Sequence, residues 1–334
     1  MRPAAADPAT GGGSRPAGGT LLVVNPWATK VVPNVRARAT RALAADGLLD
    51  VVVTREKGHA RRRIIEAVDE GVHTVACLGG DGVLAEVADT LAETDVTVVP
   101  LPGGGTNVFA RAVGWPSSLE RALTLLPTAL AARATARLRI GWIHAGEHRR
   151  VFMMNAGVGI DAETVHWVEG HTGLKRRLRQ GSFILGAWRV GVRYARRPPR
   201  IDIAVDGADP VTAATVVATC GRPYTFLGTR PLDLVPGAAF DGAIAWRALT
   251  RASVNEIARV AISSAAGRDP GSDSALIGGV ALRSLTMTAD PVTAVQTDGE
   301  PLGWHSRIEL RPGPSIRVLL PSGSDAWSGP PAGD

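Results

Sequence analysis

The sequence predicts two domains of different fold class, a parallel α/β domain followed by an antiparallel β domain. Up to residue 137, short apolar runs alternate with longer segments of helical periodicity, which is typical of βα units around a parallel sheet. From residue 138 onwards, short alternating runs are typical of half-buried strands in an antiparallel sheet or sandwich. A length of 334 residues accommodates about two domains, each with its own core.

The first predicted domain spans residues 20–137. Its strands and helices follow one another as TLLVV and a helix after Pro33, DVVVT and HARRRIIEAVDE, HTVACL and VLAEVADTLAE, and VTVVPL and TNVFARAVG. The second spans residues 138–320, with strands at RIDIAVDG, TAATVVATC, ALRSLTMTA, SRIELRPG and SIRVLL and helices within 173–195 and 253–267. Residues 1–19 and 321–334 are rich in Gly, Pro, Ser and Ala without a period, so we expect disordered tails.

The composition of the chain indicates which classes of binding partner and which cellular compartment to expect. The net charge of +6 favours anionic partners such as phosphates or acidic lipid surfaces. No interleaving of basic and aromatic residues supports nucleic-acid binding, so we expect none. Cys77 and Cys220 lie in apolar runs and form no disulfide framework, which favours a reducing cytoplasm. No window offers about 20 uninterrupted apolar residues, and the first residues lack a signal-peptide core, so we expect no membrane span.

Three loops at predicted strand ends carry the candidate site. They are VVNPWATK at 23–30, GGDG at 79–82 and LPGGGTNVFAR at 101–111, and the ends of parallel strands can converge on one crevice. Glycines let backbone N–H groups approach an anion, and each following helix adds its positive end. A lone GGDG indicates a steric corner, whereas two glycine loops with an aspartate favour a polyphosphate and its metal. No Walker A motif occurs, and GVGIDA at 157–162 matches the dinucleotide fingerprint only loosely, outside a βαβ unit.

Several short motifs, in their order and spacing, resemble the diacylglycerol kinase and sphingosine kinase family, specifically its soluble bacterial lipid kinases. These motifs are Asn25-Pro26 with Lys30, Thr54 before Gly58-His59-Ala60, GGDG with Glu86, PGGxTNxFAR, NAGVGIDA, residues 236–242, and DGE at 298–300. The resemblance covers about residues 20–320. It implies a nucleotide-binding α/β domain like those of phosphofructokinase and NAD kinase, followed by a β-sandwich domain for the lipid. It also implies transfer of the γ-phosphoryl group of ATP to a lipid hydroxyl, with diacylglycerol converted to phosphatidic acid as the first expectation.

The resemblance assigns roles to individual residues. Glu300 is the implied general base, Asp298 assists it electrostatically, and Lys30 and Lys175 lie near the phosphates. Mg²⁺ is implied at Asp81, and a structural Mg²⁺ at Asp241 with backbone oxygens of Ala238 and Ala243. ATP is expected at Asn25, Pro26, Thr54, Gly79, Gly80, Asp81, Gly82, Glu86, Gly104, Gly105, Thr106 and Asn107.

Each assignment has a structural alternative. Asp81 suits a helix N-cap, TDGE is a good β-turn, Asp241 suits a turn, and Lys175 lies in a basic run typical of a solvated helix face. The chain also departs from the family at Val83, Ala85, Gly105, Val108 and Arg139, where hydroxyl, amide or acidic residues are usual. We expect an active or weakly active kinase, with a non-catalytic relative or an NAD kinase as alternatives.

The expected partners are ATP, a membrane lipid substrate and an anionic membrane surface, with a homodimer left open. We expect a cytoplasmic protein that associates peripherally with the membrane. The densest basic run would bind anionic lipid reversibly, although a solvated helix face is an equal alternative. This run comprises Lys175, Arg176, Arg177, Arg179, Arg189, Arg193, Arg196 and Arg197.

Overall fold

A computed structural model describes residues 19–56, 58–171, 181–235, 237–269, 271 and 275–321. Several sequence predictions lie outside the described residues. They are the two tails apart from Gly19 and Pro321, Pro236, and the basic residues Lys175, Arg176, Arg177 and Arg179.

The N-terminal region is a parallel α/β unit, as predicted. Strand order is β2-β1-β3-β4, and each neighbouring pair is parallel. β1 and β4 are almost wholly buried, which explains their continuous apolar runs, because a parallel sheet is covered on both faces. The elements are β1 Gly19–Val24, α1 Pro33–Ala44, β2 Leu48–Val53, α2 His59–Asp69, β3 Val72–Gly79, α3 Asp81–Thr90, β4 Thr97–Pro102, α4 Val108–Ala112 and α5 Leu119–Ala132.

The C-terminal region is mostly antiparallel, which confirms the predicted change of fold class. Its larger strands run in the order β14-β13-β10-β7-β15-β16, and β5, β6, β8 and β9 branch from this path. The strands are β5 Thr135–Ala145, β6 His148–Phe152, β7 Asn155–Val158, β8 Arg200–Val205, β9 Val211–Ala213, β10 Thr215–Thr219, β11 Thr225–Leu227, β12 Arg230–Leu232, β13 Ile244–Leu249, β14 Leu276–Ala281, β15 Leu285–Thr297 and β16 Glu300–Leu319.

One long strand joins the two regions. β16 pairs antiparallel with β15 and β5, and near its end it pairs parallel with β4 through Arg317 and Val318. The segments SRIELRPG and SIRVLL, predicted as two strands, therefore form one strand. β5 begins at Thr135, before the predicted boundary at residue 138, and β1 already includes Gly19. Because β16 belongs to both regions, the predicted domain division stays a proposal.

Helices cover one side of the C-terminal sheet. α6 Ile160–Gly170 packs on β15 and on α7 Gly181–Arg196, and α8 Val254–Ala265 contacts α7 and β12. The short β11–β12 hairpin stands apart from the main sheet. Within the described parts of the chain, every helix is too short or too polar to cross a membrane.

Candidate functional site

Two glycine loops lie backbone to backbone at the carboxyl ends of β3 and β4. The amides of Gly103 and Gly104 both donate to Gly79 O, at 2.8 and 3.0 Å. A Cβ built on Gly104 would lie 2.6 Å from Gly80 Cα, so a side chain at residue 104 has no room. The first loop joins them, since the Lys30 amide donates to Gly103 O at 2.9 Å. The three sequence-predicted loops therefore meet at one edge of the sheet.

Replacing Gly104 with alanine is expected to lower the free energy of unfolding by about 1–3 kcal/mol, because the new methyl group meets the fixed backbone of Gly80. Gly105→Ala is the matched control, since a Cβ there meets no atom within 4 Å. Urea unfolding measures both variants. Equal stability of the two would contradict the close packing of the loops.

Three residues that are predicted to bind the nucleotide lie just after β1 and β2 and stabilise the local backbone. The Asn25 amide donates to Leu78 O at 3.0 Å, and Asn25 Oδ1 accepts from the Trp27 amide at 3.0 Å. Pro26 lies inside this turn. Thr54 is buried, and both its amide and its hydroxyl donate to Val24 O. These residues hold the ends of β1 and β2 beside the glycine loops.

The Asp81 carboxylate lies between the two glycine loops. It accepts from the amides of Val108 at 3.1 Å and Phe109 at 3.3 Å, which open α4. Burial raises the pKa of Asp81, and these backbone hydrogen bonds oppose the rise. Asp81 thus serves as a cap, but for α4 rather than for its own helix α3, whose N-cap is Gly80.

Asn107 and Thr106 complete the second loop. Asn107 Oδ1 accepts from the Gly104 amide and its Nδ2 donates to Gly104 O, each at 2.8 Å. Asn107 adopts a φ of 52°, a left-handed conformation that asparagine tolerates. Thr106 lines the large cavity described below, next to Asp81.

Glu86 and Lys30 are engaged in structural contacts. Glu86 Oε1 accepts from the Arg61 amide at 3.0 Å, in the first turn of α2. Lys30 Nζ donates to Ser117 O at 2.8 Å. Burial, with a smaller contribution from the charge of Arg111, lowers the pKa of Lys30. These contacts leave further N–H donors on Lys30 Nζ and leave Glu86 Oε2 for other partners.

A tight turn from the C-terminal region enters the same site. Thr297 pairs with Glu300, and Asp298 and Gly299 between them have φ of 50° and 81°. Positive φ at both central residues is the geometry of a type I′ hairpin turn, for which Asp-Gly is a preferred sequence. The structural alternative for TDGE is therefore correct, and this turn is also what positions both acidic side chains.

The two acidic residues of the turn have different surroundings. Asp298 accepts from the amides of Met153, Met154 and Asn155 at 2.7, 2.8 and 3.1 Å. Burial raises the pKa of Asp298 to about 6, and the nearby Asp81 charge adds to the rise against these hydrogen bonds. Glu300 is half-exposed instead.

Glu300 reaches the start of α3. A Cβ built on Gly82 would collide with Glu300 Oε1, so the carboxylate lies directly on the GGDG turn. Glu300 Oε2 accepts from Arg150 Nη1 at 3.0 Å. The sequence gives no signal for Arg150, because HRRVF contains two adjacent arginines and nothing local distinguishes them.

The predicted metal ligands differ in their fit. Within the described residues, no group of three or more His, Cys, Asp and Glu side chains is placed to hold a metal. Asp241 is exposed, and its Oδ1 accepts from the Ala243 amide at 2.9 Å, as the turn alternative requires. The Arg139 side chain packs beside it, 2.6 Å from a Cβ built on Gly242. These surroundings give no support to a structural Mg²⁺ at Asp241.

A cavity of about 760 Å³ opens beside the hairpin turn of residues 297–300. Asp81, Thr106, Asp298 and Gly299 line it where the two regions meet. The rest is mainly apolar and lies between the sheet, α6, α7, α8 and the β11–β12 hairpin. Its lining there includes Val165, Val217, Phe226, Leu249, Ile257 and Leu276.

Buried polar residues lie between the turn and the apolar part of the cavity. Gln296 Nε2 donates to Asp161 Oδ2 at 2.6 Å and to Asn155 Oδ1 at 3.0 Å. Burial raises the pKa of both Asp161 and Tyr224, which share a hydrogen bond. The segment NAGVGIDA is one of the motifs that carry the family resemblance, but the sequence predicts no role for its Asp161.

Arg111 links the glycine loops to the cavity. It lies at the end of α4, its Cζ is 3.4 Å from the centroid of the Phe226 ring, and its Nη2 donates to Thr229 O at 3.3 Å. Such a cation–π contact stabilises the hairpin against α4. The hairpin thereby closes one side of the cavity.

Comparison with known proteins identifies relatives by sequence for part of the chain. Residues 19–137 match the family model of the diacylglycerol kinase catalytic domain. A protein of Xanthomonas euvesicatoria pv. vesicatoria (strain 85-10) named "Probable lipid kinase YegS-like" is 39% identical over 150 residues, which cover 43% of this chain and 47% of that protein. The chain thus spans about half the length of the curated relatives it matches.

Two solved structures share the fold across most of the chain. A diacylglycerol kinase from Bacillus anthracis str. Sterne aligns with a TM-score of 0.65 and 19% identity, over 90% of this chain and 96% of that one. An NAD kinase from Archaeoglobus fulgidus in complex with ATP aligns with a TM-score of 0.50 and 11% identity, over 92% and 95%. At these identities the likeness shows the fold alone. The family match confirms the resemblance to the diacylglycerol kinases over residues 19–137.

Proposed function

We propose that the protein is an ATP-dependent lipid kinase that transfers the γ-phosphoryl group of ATP to a lipid hydroxyl, with diacylglycerol as the first candidate. One observation carries the proposal. The same cavity is lined by the catalytic turn at Asp298 and Gly299, by the glycine loops at Asp81 and Thr106, and by a long apolar surface. An acyl chain in the apolar part would leave its glycerol hydroxyl near Asp298 and Gly299, which precede Glu300 in the turn.

The glycine loops are suited to the phosphates of ATP. Gly79, Gly80 and Gly82 carry no side chains of their own, and α3 begins at Asp81 with its positive end towards the loops. The match to the diacylglycerol kinase catalytic domain over residues 19–137 supports this use.

Asp81 and Asp298 offer carboxylate oxygens, the ligands that Mg²⁺ prefers, in one part of the cavity. Kinases bind Mg²⁺ through one or two carboxylates together with substrate phosphates, so a larger cluster is not required. When bound, Mg²⁺ would neutralise charge on the phosphates. The same ion would offset the repulsion between these two carboxylates, which adds to the effect of burial in raising the pKa of Asp298.

In the proposed reaction Glu300 is the general base. The lipid hydroxyl oxygen forms a bond to the γ-phosphorus, the bond from that phosphorus to the bridging oxygen breaks, and ADP leaves with the electron pair. Glu300 accepts the hydroxyl proton. Asp298 holds the turn on the amides of residues 153–155 and so fixes where Glu300 lies.

Incubation with γ-labelled ATP tests the proposal. The acceptors are diacylglycerol in mixed micelles, a panel of other lipid alcohols, and NAD as a control. We expect label in phosphatidic acid or another lipid phosphate. Label in NADP would identify an NAD kinase, and ATP binding without any labelled product would identify a non-catalytic relative, so either result contradicts the proposal.

We further propose that the cavity faces an anionic membrane. Leu185 on α7, Leu227 on the hairpin and Ile262 on α8 are large apolar side chains that are 41%, 43% and 68% exposed. The last two also line the cavity. Apolar groups that insert among lipid headgroups beside basic residues are typical of interfacial binding.

Replacing Arg189, Arg196 and Arg197 on or just after α7 with serine is expected to weaken binding to anionic vesicles by about 100-fold, at about 1 kcal/mol per residue near the surface. Arg193 is not included because it pairs with Glu163. Co-sedimentation with vesicles of neutral lipid and of neutral plus anionic lipid, at low and high salt, measures the effect.

Serine at Arg36, Arg41 and Arg121 is the matched control, because these exposed arginines lie on α1 and α5. Equal losses in the two triple variants would show that only net charge matters. Unchanged binding in the α7 variant would exclude this helix as the membrane surface.

A further inference from the structure

Arg150 is fixed by both ends of the catalytic turn. It lies on β6, and its Nε donates to Thr297 Oγ1 at 2.9 Å. Its Nη2 donates to Thr297 O at 3.3 Å and also to Thr297 Oγ1. Its Nη1 donates to Glu300 Oε2 at 3.0 Å. Thr297 is fully buried, so the guanidinium has a rigid anchor on one side and Glu300 on the other.

Arg150 and the residues after it form hydrogen bonds along the whole turn. Arg150 binds its first and last residues, Thr297 and Glu300, and the amides that follow β6 bind Asp298. Residues 150–155 therefore fix the position of the four-residue turn through these hydrogen bonds. The other end of the Glu300 carboxylate, Oε1, lies on Gly82.

Glu300 needs such a restraint. Its side chain is 43% exposed, and a glutamate at that exposure samples several rotamers unless a partner selects one. A misplacement of about 1 Å in a reacting group can cost about 100-fold in rate. We propose that Arg150 is a positioning residue that holds the Glu300 carboxylate over the GGDG turn; this role rests on the proposed function.

The hydrogen bonds of Arg150 favour this role over direct contact with phosphate. A guanidinium carries five N–H donors. Among the described contacts, Nε and Nη2 already donate to Thr297, and Nη1 donates to Glu300. A side chain committed in this way orients its neighbour and has little left to offer a phosphoryl group.

Arg150→Met tests the role, with Arg149→Met as the matched control. Arg149 is the next residue on β6 and lies over the Trp142 ring, with its Cζ 5.2 Å from the centroid. We expect Arg150→Met to lower kcat for lipid phosphorylation by about 10- to 100-fold and to leave the KM for ATP within twofold. Arg149→Met is expected to match the wild type. Arg150→Lys is expected to recover part of the loss, because an ammonium can still pair with Glu300.

A double-mutant cycle of Arg150→Met and Glu300→Gln distinguishes a positioning role of Arg150 from its direct contact with the phosphoryl group. If Arg150 acts through Glu300, Arg150→Met lowers the residual rate of the Glu300→Gln enzyme by less than twofold. The same 10- to 100-fold loss in both backgrounds would overturn the proposal and assign Arg150 to the phosphoryl group. A fall in melting temperature that Arg150→Lys does not reverse, with kcat per folded molecule unchanged, would also overturn it.

Crystal structures of the wild type and Arg150→Met keep this test separate from that of the proposed function. We expect the Glu300 carboxylate to leave Gly82 in the variant. A carboxylate that stays in place overturns the proposal whatever the activity. A wild-type enzyme that phosphorylates no lipid overturns the proposed function, and the two crystal structures still decide whether Arg150 places Glu300.

Discussion

Replacing Glu300 with glutamine is expected to lower the rate of lipid phosphorylation by about 10²–10⁴-fold, the usual contribution of a general base. The amide keeps the shape of the side chain and can still accept a hydrogen bond from Arg150. It cannot take the proton of the lipid hydroxyl. The fold and the affinity for ATP are expected to stay unchanged, because Glu300 is half-exposed and meets the GGDG turn at Gly82 through the end of its side chain.

Glu309→Gln is the matched control for this prediction. Glu309 lies on the same strand β16 but pairs with Arg311, away from the glycine loops. Turnover with labelled ATP, ATP affinity by calorimetry and melting temperature are measured for both variants. Turnover by Glu300→Gln within about tenfold of the wild type, at an unchanged melting temperature, would exclude Glu300 as the base.

The strands and helices of the parallel region could be predicted from the sequence, because the patterns that indicate them are local. Buried strands such as β3 form continuous apolar runs, and each is followed by a helix of clear periodicity. The missed helix α5 has a local cause. Pro127 lies inside it and argues against a helix, although Ser118 provides an ordinary N-cap through the Arg121 amide. Burial of Leu123 and Leu126 against the core outweighs that signal.

The hairpin turn of residues 297–300 could be predicted only in part from the sequence. Its Asp-Gly pair predicts a tight hairpin without any knowledge of the fold. The contact between Glu300 and Gly82, and the pairing of Arg150 with Thr297, join residues that are far apart in sequence. Such contacts depend on how β16 bridges the two regions, and no local pattern encodes that crossing.

Asp81 has a structural role in the fold and a second, chemical role in our proposal. Sequence reasoning weighed a metal ligand against a helix cap, and the carboxylate does cap a helix, although that helix is α4. The cap occupies backbone amides and leaves lone pairs on both oxygens, since each carboxylate oxygen can accept more than one contact. A metal contact and the cap are therefore compatible.

Replacing Asp81 with alanine is expected to weaken Mg-ATP binding and also to destabilise the protein. The amides of Val108 and Phe109 lose their acceptor, which costs about 1–3 kcal/mol when such groups stay buried. Asp81→Asn keeps one carbonyl oxygen for the cap. It separates the two roles, because its side chain can cap α4 but is a much weaker Mg²⁺ ligand than a carboxylate.

The pH dependence of stability gives Asp81→Asn a distinct signature. Burial raises the pKa of Asp81, and the Asp81 charge helps to raise the pKa of Asp298 to about 6. A carboxyl group with a raised pKa in the folded state stabilises less as pH rises from its unfolded pKa, near 4, through its folded pKa. Asparagine at residue 81 removes the Asp81 carboxyl group. It also removes the negative charge that contributes to the raised pKa of Asp298. The variant is therefore expected to gain stability relative to the wild type as pH rises from about 4 to above 6.

Mg-ATP is expected to reverse that advantage at neutral pH. The wild type should gain melting temperature with Mg-ATP by linkage, since the ligand binds the folded state and offsets the two carboxylate charges. Asp81→Asn should gain little at the same concentration. Calorimetry measures the affinity for Mg-ATP. Thermal melts at pH 4 and pH 7, with and without Mg-ATP, measure the change in melting temperature. Equal Mg-ATP affinity in Asp81→Asn and the wild type would leave Asp81 with the cap of α4 alone, and the charge that balances the phosphates would then have to come from elsewhere in the site.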